Sequence, residues 1–195
     1  MRHNISAILT VCILGSCGLV PSGTAPRNLD NACSIVEQRP RYLKAFIATE
    51  RRWGVPINVQ MAVIYQESRF KANAKTPMRY ILGIIPRGRQ SSAYGYAQAL
   101  DGTWDEYKKS TGRFAARRSN ISDATDFMGW YMNNTKRSNG VPLSDTKNQY
   151  LAYHEGQTGY ARGSYRKKSW LMGVAKKVSR RASVYKTQLR RCNKL

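Results

Sequence analysis

The chain of 195 residues is poor in acidic residues, histidine and long apolar runs. The apolar run near its start, residues 5–16, is far shorter than the roughly 20 residues that cross a bilayer. It therefore excludes a spanning helix there and, preceded by Arg2, is typical of a secretory signal over residues 1–16. His3 would leave with that signal, and His154 alone cannot hold a metal ion. We expect neither a metal nor a cofactor.

The end of the predicted signal suggests lipidation. Residues 14–17 read LGSC, which resembles the lipobox of bacterial lipoproteins, in which Cys17 would become the lipidated first residue. An ordinary cleaved signal with an incidental cysteine is the alternative. Residues 17–30 are rich in glycine, proline and serine, so we expect a lipidated, flexible tether before a domain over residues 31–195. The expected location is the periplasm-facing cell envelope, at the outer membrane.

Export also bears on the remaining cysteines. Cys12 would leave with the signal and Cys17 would carry lipid, so Cys33 and Cys192 remain in an oxidising compartment. We predict that these two cysteines form a disulfide. Two independent free thiols are the alternative.

Positive charge dominates the composition. There are 33 lysines and arginines against 11 acidic residues, which gives a formal net charge of +22. In a cytosolic protein this charge would indicate nucleic acid, but an exported protein meets lipid headgroups, phosphorylated lipopolysaccharide and the carboxylates of peptidoglycan stem peptides. Nucleic acid is therefore not the expected partner, and charge alone does not choose among the others. It identifies no envelope machinery either.

Apolar periodicity predicts a mainly helical domain. One helix should end at Gly54, a second should be capped by Asn58, a third should be capped by Ser122, and the last should span residues 170–191. Between the second and third, proline and glycine break the periodicity, and the stretch RYILGII is consistent with one arm of a small hairpin.

Glu67 is an unusual residue in the apolar stretch VIYQESRF, residues 63–70. It follows Val63 by four positions and Ile64 by three, which places it beside an apolar helix face. Burial disfavours the charged form of a carboxyl group, so its pKa should rise until it can act as a general acid near neutral pH. Pairing of Glu67 with Arg69 or Lys71 at the helix end is the alternative.

Three short motifs and a late tyrosine follow in a recognisable order. They are the Glu-Ser pair at Glu67 and Ser68, SAYGYAQ at residues 92–98, AYHEG at residues 152–156, and Tyr185. In this order they resemble the lysozyme-like domain of the lytic transglycosylases, over roughly residues 42–190. The resemblance implies a mainly α, α+β lysozyme-like fold, with a helical bundle around a substrate groove and a small irregular or hairpin region.

The resemblance also implies residue roles. Glu67 would be the single catalytic acid and base, with Ser68 anchoring the end of its helix. Ser92 and Gln98 would line the groove and bind saccharide, while Gly95 would permit a close backbone approach. Tyr153 would orient the Glu67 carboxyl group through its hydroxyl, and Tyr185 would close the site from the last helix.

Members of this family cleave the β-1,4 bond between N-acetylmuramic acid and N-acetylglucosamine in peptidoglycan and leave 1,6-anhydro ends. The sequence departs from the family at His154 and Glu155, which replace the usual asparagine and alanine and could tune the acid. Two alternatives therefore stay open. One is a lysozyme-type hydrolase with Glu67 and Glu155 as its two carboxylates. The other is a non-catalytic lipoprotein that binds polyanions or the cell wall.

Overall fold

The computed structural model describes residues 24–82 and 84–195 and confirms the mainly α class. The predicted signal, with Cys12 and Cys17, lies outside these residues. Eight α-helices, one two-stranded hairpin and one 3-10 turn make up the secondary structure of the described part. In chain order they are α1 Ala32–Gln38, α2 Pro40–Trp53, α3 Ile57–Ser68, β1 Met78–Ile81, β2 Ile85–Arg89, α4 Asp101–Thr111, α5 Ile121–Asn139, α6 Thr146–Glu155, α7 Gln157–Ala161, the 3-10 turn Ser164–Lys167 and α8 Ser169–Arg191.

Helix α3 is the centre of the core. Every residue of its first two turns, residues 57–64, is buried, so it has no solvent face over that length. The predicted cap at Asn58 is wrong, because Pro56 precedes the helix and the Asn58 amide instead donates to the Ala182 carbonyl in α8 at 3.1 Å. The Gln60 amide likewise donates to the carbonyls of Phe46 and Val55. These bonds satisfy the two side-chain amide nitrogens, which burial would otherwise penalise, whereas Gln60 Oε1 has no partner among the described residues.

Helix α5 begins two residues earlier than a cap at Ser122 would allow. Ser122 does not cap it, because the Asn120 side chain accepts from the backbone N–H groups of Ser122 and Asp123. In the second turn of this helix, buried Asp126 accepts from Trp53 Nε1 at 2.9 Å and from the Tyr107 hydroxyl at 2.7 Å. This carboxylate therefore joins α5 to α2 and α4. The predicted end of α2 at Gly54, in left-handed conformation with φ 76°, is confirmed.

The segment between α3 and α4 carries the hairpin. Strands β1 and β2 are antiparallel, with Ile81 opposite Ile85. The stretch RYILGII was expected to be one arm, and this is wrong in detail, because it holds the end of β1, the turn and the first residue of β2. All residues of both strands are exposed.

The two ends of the domain are tied together. The predicted disulfide between Cys33 and Cys192 is present, with 6.3 Å between the Cα atoms and 159 residues of sequence separation. In the chain-entropy model, a disulfide that closes a loop of this length stabilises the folded state by about 5 kcal/mol, because it restricts the unfolded chain.

Residues 24–30 pack against the domain, so a free tether is wrong for this part of the predicted 17–30 segment. The Tyr185 hydroxyl donates to the Leu29 carbonyl, and Arg181 forms an ion pair with Asp30 at 2.7 Å. The hydroxyl of Thr24 accepts from Arg39 at 2.9 Å. In the described part of the chain, no helix is long and apolar enough to span a membrane.

Close packing of α2 on α5 generates a stability prediction. A Cβ added at Gly129 would lie 2.5 Å from Trp53 Cδ1 and 2.8 Å from Thr49 Cγ2. Gly129→Ala should therefore lower the free energy of unfolding by about 1–3 kcal/mol through overpacking. Thermal unfolding measures this. In the matched control Gly173→Ala, on α8 with open space around the new methyl group, the better helix propensity should raise stability by up to about 1 kcal/mol. Equal effects of the two variants would contradict the packing argument.

Candidate active site

Glu67 lies in the last turn of α3, where the buried helix reaches its end. Ser68 is buried beside it and donates from Oγ to the Ile64 carbonyl at 3.2 Å, a bond within the helix. Arg69 takes the left-handed conformation with φ 50° and ends the helix. The helix thus ends one residue after Glu67, and the anchoring role expected of Ser68 stays a prediction.

The surroundings of Glu67 favour the protonated carboxyl group. Burial raises the pKa of Glu67 from its ordinary 4.5 to about 7, and a hydrogen bond with the Tyr150 side chain works in the opposite direction. Within the described residues Glu67 forms no ion pair, so the alternative pairing with Arg69 or Lys71 is not observed. A carboxyl group with such a pKa can both give and take a proton near neutral pH.

The tyrosine that contacts Glu67 differs from the predicted one. Tyr150 forms the hydrogen bond with the carboxyl group, whereas the Tyr153 hydroxyl donates to the Ala97 carbonyl at 2.6 Å. The expected contact from Tyr153 is therefore wrong, although burial and the nearby Glu67 charge raise the pKa of Tyr153 well above its ordinary value. The three-residue spacing places both tyrosines on one face of α6, so the sequence makes Tyr150 as good a candidate as Tyr153 but does not choose between them.

The second motif forms a braced loop. The Ser92 hydroxyl accepts from the Asp101 N–H at 3.1 Å, at the start of α4. The Gln98 amide nitrogen donates to the carbonyls of Ala74 and Gly95 at 3.0 and 2.9 Å. These bonds brace the loop from within the chain, and the saccharide contacts expected of Ser92 and Gln98 stay predictions.

Gly95 meets a close backbone approach of a different kind from the one expected. It has φ 81°, and a Cβ added there would lie 2.1 Å from the Arg118 carbonyl oxygen. The backbone that comes close belongs to this chain, and the adjacent Tyr96 N–H donates to the same carbonyl at 3.2 Å. Glycine is required at this position by contact and by conformation together.

A cleft brings several predicted residues together. Its volume is about 240 Å³, and a second cavity of similar volume continues from it. Residues lining the first cavity include Gln98, Thr103, Tyr131, Tyr153, His154 and Glu155. Tyr153 lines this cleft and lies near enough to Glu67 for the Glu67 charge to raise the Tyr153 pKa. Tyr153 is therefore the side chain that connects the cleft to the acid.

Glu155 is held in an ion pair. Its carboxylate receives Lys168 Nζ at 2.8 Å, His154 Nδ1 at 3.1 Å and the Ser164 hydroxyl. Hydrogen bonds from Lys168 and Ser164, in that order, lower the pKa of Glu155 to about 2. The side chain is only 3% exposed, so this carboxylate is ionised and occupied by donors that connect α6 to the turn before α8.

Tyr185 contacts the N-terminal segment rather than the residues that line the cleft. Its ring is fully buried, and its hydroxyl donates to Leu29 and contacts Arg181 at 3.4 Å. These contacts bind the N-terminal segment to α8, so the expectation that Tyr185 closes the site is wrong. Among residues 24–82 and 84–195, no group of three histidine, cysteine or acidic side chains is arranged to hold a metal ion.

Comparison with known families identifies the domain. The model of the transglycosylase SLT domain matches residues 5–192. The chain belongs to this family. No match was found among curated proteins. For this SLT domain, membership supports a function of the peptidoglycan lytic transglycosylase type, with glycan strands as the substrate. It also agrees with the lysozyme-like helical fold described above.

The contact between Tyr150 and Glu67 generates a prediction about pH dependence. The Tyr150 hydrogen bond lowers the Glu67 pKa, so Tyr150→Phe should raise that pKa above 7 and keep the acid protonated to higher pH. The alkaline limb of kcat/KM should move to higher pH when turnover of peptidoglycan is measured. Tyr153→Phe is the matched control, because its hydroxyl bonds to Ala97, and its limb should stay in place. A shift in the control alone would assign the contact to Tyr153.

Proposed function

We propose that this SLT domain is a peptidoglycan lytic transglycosylase in which Glu67 is the single acid and base. The observation that carries the proposal is a carboxyl group whose pKa burial raises to about 7, near Tyr153, which lines a cleft. The substrate is the β-1,4 bond between N-acetylmuramic acid and N-acetylglucosamine. The products are N-acetylglucosamine ends and 1,6-anhydro-N-acetylmuramic acid ends.

One carboxyl group suffices for this reaction. Protonated Glu67 donates its proton to the glycosidic oxygen, and the bond from that oxygen to the anomeric carbon of N-acetylmuramic acid breaks. The resulting carboxylate then takes the proton from the 6-hydroxyl of the same sugar as this oxygen attacks the anomeric carbon. Tyr150 assists the step in which Glu67 is ionised, because its hydrogen bond lowers the pKa of the carboxyl group.

The contacts of Glu155 favour this reaction over a two-carboxylate hydrolase. A second carboxylate would have to attack the sugar or activate a water molecule. Glu155 instead receives Lys168, Ser164 and His154, and its low pKa makes it a poor base. We therefore assign to Glu155 and His154 the bracing of the cleft wall rather than proton transfer.

Analysis of products tests the reaction. Purified sacculi treated with the protein should release muropeptides with anhydro ends, which mass spectrometry distinguishes from reducing ends by one water. Glu67→Gln keeps the side-chain shape but has no acidic proton, so activity should fall by several orders of magnitude. Glu155→Gln should leave the anhydro product unchanged. If the unaltered protein produced reducing ends and the Glu155→Gln variant did not, the protein would instead be a hydrolase with two carboxylates. No turnover by the unaltered protein would favour a non-catalytic wall-binding protein.

We also propose that the protein is exported and attached to the periplasm-facing outer membrane through lipid on Cys17. The sequence LGSC at residues 14–17 supports lipidation. The disulfide between Cys33 and Cys192 supports an oxidising compartment, because such bonds are rare in the cytosol.

Membrane fractionation tests the attachment. The unaltered protein in a Gram-negative host should be found with the outer membrane, and mass spectrometry should detect acyl chains on Cys17. Cys17→Ser should abolish the acyl modification. The control Cys12→Ser, inside the predicted signal, should leave it intact. An unmodified mature chain that begins at another residue would overturn the proposal.

A further inference from the structure

The tip of the hairpin carries a concentrated group of exposed apolar side chains. Leu82 is 87% exposed and Ile84 is 77% exposed. Their neighbours Tyr80, Ile81 and Ile85 are also exposed large apolar residues, between 45% and 55%. We call this set, Tyr80, Ile81, Leu82, Ile84 and Ile85, the apolar tip.

The hairpin gains little from its own packing. Both strands are exposed along their whole length, and a two-stranded sheet with no covered face is at best marginally stable in water. A contiguous apolar patch on a soluble domain marks an interaction surface. The apolar tip therefore indicates that the hairpin binds another surface, which would shield these side chains from water.

Charge around the tip restricts what that surface can be. Residues 68–100 contain no acidic residue, and Arg79, Arg87 and Arg89 lie on the two strands beside the tip. Within the part of the chain that the structure describes, these arginines form no ion pair. The partner surface should therefore be negatively charged outside and apolar within.

We propose that the apolar tip inserts into an anionic lipid surface. Four of its five side chains are branched aliphatic groups, which match hydrocarbon, whereas sugar rings are usually contacted by flat aromatic rings. The arginines lie behind the tip, where the phosphates of the headgroups would meet them. This contact is separate from lipid on Cys17 and does not depend on the proposed reaction.

The base of the hairpin connects this contact to the cleft. The Thr76 hydroxyl donates to the Ser91 carbonyl at 2.9 Å, and the Gln98 amide donates to the Ala74 carbonyl at 3.0 Å. Gln98 also lines the cleft. Insertion of the tip would thus fix the direction in which the cleft faces relative to the bilayer.

Vesicle binding tests the proposal in a protein that carries no lipid. The chain is produced without its first sixteen residues and with Cys17→Ser, and is sedimented with vesicles of phosphatidylethanolamine and phosphatidylglycerol. Leu82→Ser with Ile84→Ser should lower the partition coefficient at least tenfold. The matched control Phe114→Ser removes a side chain that is 72% exposed on another loop and should change it less than twofold. Vesicles of phosphatidylcholine alone should bind weakly.

A local probe separates insertion from adsorption by the overall charge. Leu82→Cys, labelled with an environment-sensitive nitrobenzoxadiazole fluorophore, should shift its emission to shorter wavelength on anionic vesicles, and labelled Phe114→Cys should not. Binding that persists in the double serine variant, or emission that stays unshifted at residue 82, would overturn the proposal. In that case the apolar tip would instead be assigned to a protein partner.

Discussion

Burial of the first two turns of α3 is the constraint on which the rest of the structure depends. Polar side chains in a helix without a solvent face over two turns must find partners inside the protein. The side-chain amide nitrogens of Asn58 and Gln60 do so by donating to backbone carbonyls of α8, of α2 and of the loop before α3. These bonds fix the rotation and the depth of α3. They therefore also fix where its last turn presents Glu67.

The burial that raises the Glu67 pKa also lowers the stability of the fold once Glu67 is ionised. The pKa of Glu67 is raised in the folded protein from 4.5 to about 7, so the folded state binds this proton more tightly than the unfolded state. The contribution of this proton to stability is fully present below pH 4.5, and it is lost as pH rises through about 7. At alkaline pH the protein must hold a buried carboxylate, and the disulfide between Cys33 and Cys192 is one of the terms that offset this cost.

Apolar periodicity predicted four of the eight described helices, α2, α3, α5 and α8, because a helix face that packs on the core must be apolar at regular spacing. The short helices α1, α6 and α7 are too brief to show such a pattern. Local polar signals were less reliable. Asn58 and Ser122 both have the chemistry of a helix cap, yet Asn58 bonds across the core to Ala182 and Asn120 caps α5. The choice between Tyr150 and Tyr153 also depended on a distant group, the Ala97 carbonyl. Such pairings are set by tertiary packing, which spacing along the chain does not encode.

The loop that carries the second motif is held by the core beneath it. Tyr96 and Ala97 are both buried, and the Tyr96 hydroxyl forms a hydrogen bond with the Tyr42 hydroxyl at 3.0 Å. Contacts within the chain are also made by Ser92, Gly95 and Gln98. These contacts hold the loop whose Ala97 carbonyl accepts from the Tyr153 hydroxyl. Packing of the second motif therefore bears on the position of a tyrosine that lies near Glu67.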